Sequence, residues 1–232
     1  MKRVRIASLY PEELNLYGDR GNLLCLYYRL IKRGYSAEIQ SINIGDRLGD
    51  FDILVIGGGQ DREMNLIKND LKRKSEMLSY SINCGKTVFA VCAGFQLLGN
   101  YYINQKGETM KLSSALDFYT VASDRRMIGN IVFQTPLGKV AGFENHSGKT
   151  YLAKQLSPLG SVISGWGNNG EDGSEGLLYK NTFATYAHGA VLPKNPALAD
   201  EIIKRALGAD ELEPLDDELE NRCHEQLIHI FS

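Results

Sequence analysis

The chain has 232 residues, 43 % hydrophobic and 23 % charged, with a formal net charge of −2, which fits one large domain or one domain with a short appendage. Lys and Arg are scattered, so the sequence carries no electrostatic footprint for nucleic acid, and no run approaches the roughly 18 apolar residues of a membrane span. No signal-peptide core follows Met1-Lys-Arg-Val-Arg5, and the four cysteines (Cys25, Cys84, Cys92, Cys223) show no C-x-x-C or paired-histidine spacing, which argues against structural zinc or disulfides and for a reducing cytoplasm.

Short apolar runs alternate with longer helical stretches in the first half. Val4–Leu9 reads as a strand, Gly21–Lys32 as a helix, Ala37–Ile42 as a strand, and Asp52–Ile56 as a buried strand entering Gly57-Gly58-Gly59. Glu63–Asn83 has helical spacing, and Thr87–Val91 is a strand that delivers Cys92. This alternation predicts an α/β fold with a mostly parallel sheet and crossovers on both faces. Sites in such sheets gather beyond the carboxyl ends of strands, so Gly57–Gly59 and Cys92 are expected to share one crevice.

The second half changes character. Ile131–Thr135, Lys139–Phe143, Val162–Gly165, Gly176–Tyr179 and Thr182–Tyr186 read as short strands separated by Pro- and Gly-containing turns. Asn195–Leu207 returns to helix. Asp210–Asp217 is an acidic linker, and Glu218–Phe231 has amphipathic spacing, so 1–208 is expected to form the body and 209–232 an appendage that packs on it or docks a partner.

Cys92 opens Cys92-Ala-Gly-Phe-Gln-Leu-Leu-Gly99 directly after a strand. A sharp strand-to-helix turn lifts one side chain clear of the sheet, and a helix N-terminus favours thiolate over thiol. The competing reading is a small buried hydrophobe, the commoner fate of a cysteine in an apolar run. The expected base is His188, at the end of a strand in Thr185-Tyr-Ala-His-Gly-Ala190; His146 competes with it, while His224 and His229 lie in the tail. Backbone N–H groups of Gly58, Gly59 and Ala93 could form an oxyanion hole, although the glycines read equally as a tight loop. Arg126, in a loop between the halves, could clamp a carboxylate, although a loop arginine alone reads as a surface charge. Gly142–Thr150 imitates a phosphate-binding loop but has one residue too many, and hairpin signals follow instead of a helix.

Several further blocks occur in order: Leu14-Asn-Leu-Tyr-Gly-Asp-Arg-Gly-Asn22, Gly57-Gly-Gly-Gln-Asp-Arg-Glu63, Cys92-Ala-Gly-Phe-Gln96, Leu116-Asp-Phe-Tyr-Thr120, Gly142-Phe-Glu-Asn-His146, Gly167-Asn-Asn169, and His188 with Leu192-Pro-Lys-Asn-Pro196. Over nearly its whole length the chain thereby resembles class I glutamine amidotransferases of the cobyric-acid-synthase-like branch, and within it the glutaminase subunits that work with a MurT-like ligase. The resemblance implies a flavodoxin-like three-layer sandwich with added antiparallel strands. It makes Cys92 the nucleophile, His188 its base, Arg126 and Gln96 contacts to L-glutamine, and His146 part of a structural or site-lining loop. It implies no metal or cofactor in this chain. ATP and Mg would sit on the partner of a heterodimer, where ammonia amidates the D-glutamate of lipid II. A cobyrinate-type acceptor is the alternative within the branch; outside it stand a cysteine-dependent hydrolase and a non-enzymatic binding module. The wider class reads His-Pro-Glu where this sequence has His188-Gly189-Ala190, so either a Cys–His dyad suffices or a carboxylate arrives from elsewhere; an Asp or Glu of the partner is the expected source.

Overall fold

The computed structural model describes residues 3–232. Strand β1 (Arg3–Leu9) leads through helix α1 (Arg20–Lys32) to β2 (Ser36–Ile42), and β3 (Ile53–Ile56) leads through α2 (Asp61–Asn83) to β4 (Thr87–Val91). A short helix α3 (Ala93–Leu97) follows, then the small strands β5 (Tyr101–Ile103) and β6 (Thr109–Lys111). Two long strands, β7 (Phe118–Thr135) and β8 (Gly138–Leu152), precede β9 (Gly160–Ser164), β10 (Ser174–Glu175), β11 (Leu177–Tyr179) and β12 (Thr182–Thr185). The chain ends with α4 (Pro196–Leu207) and α5 (Glu218–Phe231).

The first sheet has the order β11-β12-β4-β3-β1-β2 and is parallel except for β11. Taking the parallel strands in chain order gives 2-1-3-4-5, the flavodoxin-like arrangement with its switch point between β1 and β3. The step from β1 to β2 and the step from β3 to β4 run in opposite directions. Right-handed crossovers therefore put α1 and α2 on opposite faces, which makes three layers. β3 and β4 are buried at every residue, as covering on both faces requires. The β-branched and apolar runs read from the sequence as strands are these central strands.

The antiparallel strands of the second half mostly build a sheet of their own, in the order β10-β9-β7-β5-β6 with β8 paired to β7. β7 and β8 are far longer than the short strands expected there. Gly142–Thr150 lies wholly within β8, in extended register against β7, so it has no loop in which to cradle phosphate. Arg126 is likewise not in a loop: it sits in β7 at the register break between Ala122 and Met127.

Helix α5 packs on β7 and β8 and on the turn Leu192–Lys194, where His224 Nδ1 lies 2.9 Å from Lys194 O. The acidic linker is tied down too. Arg29 of α1 makes paired bonds to Asp200 (2.6 and 2.7 Å) and to Asp217 (2.7 and 2.6 Å). No helix among the described residues is long and apolar enough to cross a membrane, and the four cysteines are free thiols.

Candidate active site

Cys92 stands between β4 and α3 with φ 50° and ψ −106°. A left-handed φ is strained for a residue with a Cβ and persists only where its surroundings hold it. Two backbone bonds do so here: Cys92 N–H donates to Thr185 O of β12 at 2.8 Å, and Gly94 N–H donates to Gly57 O at 3.1 Å. A side chain at position 94 would meet Ile56 O at 2.5 Å and Gly57 O at 2.8 Å. Only glycine lets the Cys92 turn seat this deeply against the loop after β3. Helix α3 is five residues long, shorter than the sequence suggested.

The parallel register of β12 on β4 pairs Thr185 with Val91, so both chains emerge from the sheet side by side. His188 follows β12 and is pinned to Phe143 of β8 by a backbone bond of 2.6 Å. Its side chain is completely buried. Burial works against a charge on the ring. The Cys92 sulfur and the hydrogen bond that the ring donates to Asp19 outweigh it, pushing the imidazole up to about 10. Nδ1 lies 3.1 Å from Asp19 Oδ2, which makes Nδ1 the protonated nitrogen and leaves Nε2 for the thiol. Cys92 and His188 are thus brought together from residues 96 apart in sequence.

Asp19 corrects two sequence-based expectations. The carboxylate that faces the imidazole belongs to this chain, where one from a partner was expected. The same Oδ2 accepts the Gly58 N–H at 2.8 Å, so Gly58 is not available as an oxyanion donor. It serves instead as the wall behind the imidazole. Gly59 lines the pocket with Cys92, and Ala93, the first residue of α3, has an N–H with no intrahelical acceptor; these two remain the oxyanion candidates.

The pocket in front of Cys92 has a volume of about 300 Å³ and includes Gln96, Arg126, Asn145 and His146 in its wall. Arg126 donates through Nε to Asn145 Oδ1 at 2.5 Å, which fixes the guanidinium while both Nη groups stay free of protein partners among the described residues. That is the arrangement a carboxylate clamp needs. Asn145 in turn donates to Tyr17 Oη at 2.5 Å, and the Tyr17 ring stands edge-on to His188 with centroids 5.1 Å apart. Gln96 Nε2 donates to Tyr186 Oη at 3.0 Å. Tyr186 is buried, which raises its hydroxyl pKa, and His146 stacks on it at 3.7 Å with Nδ1 against Gly148 O. His146 therefore lines the site without facing the thiol as a base. Tyr17, Asp19 and Asn145 were not singled out from the sequence, although Asp19 lies inside the block Leu14–Asn22; nothing local pairs a residue near position 20 with a histidine at 188.

The sequence matches the CobB/CobQ-like glutamine amidotransferase domain over residues 5–196. It is 37 % identical to the GatD subunit of lipid II isoglutaminyl synthase (glutamine-hydrolyzing) from Staphylococcus aureus, across 98 % of this chain and 96 % of that protein. Identity to the corresponding Streptococcus pneumoniae subunit is 38 %, across 88 % and 81 %. A probable cobyric acid synthase from Methanothermobacter thermautotrophicus is 29 % identical across 77 % of this chain but only 38 % of its own length. Among solved structures, a glutamine amidotransferase superposes with a TM-score of 0.62 at 14 % identity, covering 86 % of this chain and 98 % of that one. The Trypanosoma brucei CTPS glutaminase domain with bound acivicin gives 0.59 at 13 %, covering 91 % and 96 %; at such identities the likeness bears on fold alone.

Proposed function

The chain belongs to the CobB/CobQ-like glutamine amidotransferases, and from that premise we propose that it is the glutaminase subunit of a lipid II isoglutaminyl synthase, acting with a MurT-like ligase in the cytoplasm. The observation that carries the reading is the Cys92 turn, coupled to the buried His188 over a pocket whose far wall holds a fixed Arg126.

Arg126 takes the α-carboxylate of L-glutamine and so sets the side-chain amide in front of Cys92. His188, raised to about 10, already holds the thiol proton as imidazolium, and the Cys92 thiolate beside it attacks the amide carbon. The tetrahedral oxyanion is met by the N–H groups of Gly59 and Ala93. As the C–N bond breaks, the imidazolium gives its proton to the leaving nitrogen, and ammonia departs from a γ-glutamyl thioester. Neutral His188 then takes a proton from water, hydroxide adds to the thioester carbon, and the thiolate leaves with glutamate as product.

The full-length likeness to the two GatD subunits supports the lipid II acceptor over a cobyrinate-type one, since this chain spans little more than a third of the cobyric acid synthase it matches. The test uses the chain purified with its ligase. Cys92→Ala should abolish glutamine-dependent amidation of lipid II and spare amidation driven by added ammonium salt. Loss of both in a folded complex contradicts this division of labour.

A further inference from the structure

We infer that Asp19 is the positioning carboxylate of the Cys92–His188 pair, supplied from the amino-terminal loop of this same chain. The inference rests on the glutaminase reading of the site. The Asp19 side chain is completely buried, and one oxygen accepts both the Gly58 N–H at 2.8 Å and the His188 Nδ1–H at 3.1 Å. A side chain at Gly58 would meet the imidazole Cε1 at 2.4 Å and that same oxygen at 2.8 Å. The carboxylate, the glycine and the ring are therefore packed to one geometry.

The loop bearing Asp19 grips the histidine segment at two further points. Tyr17 lays its ring edge on the imidazole, and Asn22 Oδ1 accepts the N–H of Leu192, four residues beyond His188, at 2.9 Å. Tyr17 has φ 55°, a strained value for a residue with a side chain, and Leu16 N–H donates to Gly58 O at 3.0 Å to hold the turn. A loop built for chain reversal alone would not need a tyrosine in that conformation.

Chemically, a carboxylate on Nδ1 fixes the tautomer that turns Nε2 toward the thiol, and its charge stabilises the imidazolium that must protonate the departing nitrogen. The charged and titratable groups around the ring are Cys92, Asp19, the edge-on Tyr17 and, across Asp19, Lys194, whose burial lowers its own pKa while the charge of Asp19 opposes that. The sequence after His188 offers no acid, and Asp19 fills that role from the opposite end of the chain.

The test is Asp19→Asn, which keeps an oxygen for both N–H groups and removes the charge. Glutaminase kinetics are measured on the full chain, alone and with its ligase. The expected result is a fall in kcat on the order of 10²-fold with KM for glutamine nearly unchanged. Loss of the carboxylate destabilises the imidazolium, so the alkaline limb of the pH profile should move to lower pH by about one unit. Wild-type rate and profile in Asp19→Asn overturn the inference, as does full recovery of the variant on adding the ligase, which would assign the carboxylate to the partner. A wild-type chain that hydrolyses no glutamine, alone or in complex, overturns the reading of the site instead. ¹⁵N titration of the wild-type His188 ring needs no variant: as pH climbs through about 10, Nε2 is expected to lose its proton and Nδ1 to keep it, and loss from Nδ1 contradicts the inference.

Discussion

Gly58→Ala perturbs the catalytic geometry without replacing Cys92 or any functional side chain. Its Cβ would fall 2.4 Å from His188 Cε1, 2.8 Å from Asp19 Oδ2 and 3.2 Å from His188 Nδ1. Unstrained carbon–carbon contact begins at about 3.5 Å, so the imidazole must retreat by about 1 Å. Gly58 does not use the left-handed region, which makes the methyl group the whole perturbation. A misplacement of about 1 Å costs on the order of 10²-fold in rate, or about 2.7 kcal/mol of barrier. Overpacking adds about 1–3 kcal/mol of destabilisation. The assay is glutaminase kcat/KM of the full chain with its ligase, beside a urea titration showing that the variant is folded. Gly49→Ala is the control, because nothing stands within 4 Å of its Cβ and its φ is not left-handed. A folded Gly58→Ala as active as Gly49→Ala would refute the reasoning that Gly58 is the wall fixing His188.

Arg126→Ala should raise KM for glutamine by about 10- to 100-fold, the worth of a charge-assisted bidentate contact, with kcat changed less; an unaltered KM in steady-state kinetics would remove Arg126 from the substrate site. Cys92→Ala should lower the His188 pKa, because the sulfur is the strongest influence raising it; ¹⁵N titration of the ring checks this, and an unchanged midpoint would mean the two groups are not coupled. The raised imidazole makes a stability contribution that is complete below pH about 6.5 and lost as pH climbs through about 10, so wild type should lose more stability than Cys92→Ala across that window in urea titrations. Arg29→Ala leaves Asp217 without its partner, while Asp200 keeps Arg33 Nη2 at 2.7 Å, and should cost about 3 kcal/mol, the low end for a broken buried pair because the Asp217 side chain is 16 % exposed; limited proteolysis should then cut the linker at 209–217, and an intact linker would show that α5 alone holds the tail.

The parallel sheet was legible because its strands are buried on both faces and read as continuous apolar runs, Ile53–Ile56 and Thr87–Val91 above all. The second sheet was not. β7 runs through Ser123-Asp-Arg-Arg126, which falls at the register break, and β8 through Glu144-Asn-His146, which pairs with Met127–Gly129; these polar stretches are extended because β7 and β8 pair along their length rather than from local propensity. That is why Arg126 was read as a loop residue and why a phosphate-loop imitation arose inside a strand. Cys92 and His188 could be nominated from strand ends and residue chemistry. Asp19 could not, since its partner lies 169 positions away. Gly58 was read for its N–H, and only the structure shows that N–H spent on Asp19.

The central claim, that Cys92 is a nucleophile built to receive glutamine, is tested most directly by peptide-resolved mass spectrometry after treatment with a diazoketone analogue of L-glutamine. The expected result is an adduct on Cys92, slowed by excess L-glutamine and by His188→Ala, with Cys25, Cys84 and Cys223 unmodified. Glutamine hydrolysis that continues while Cys92 stays unlabelled, or an adduct spread evenly over the exposed Cys84 and Cys223, would contradict it.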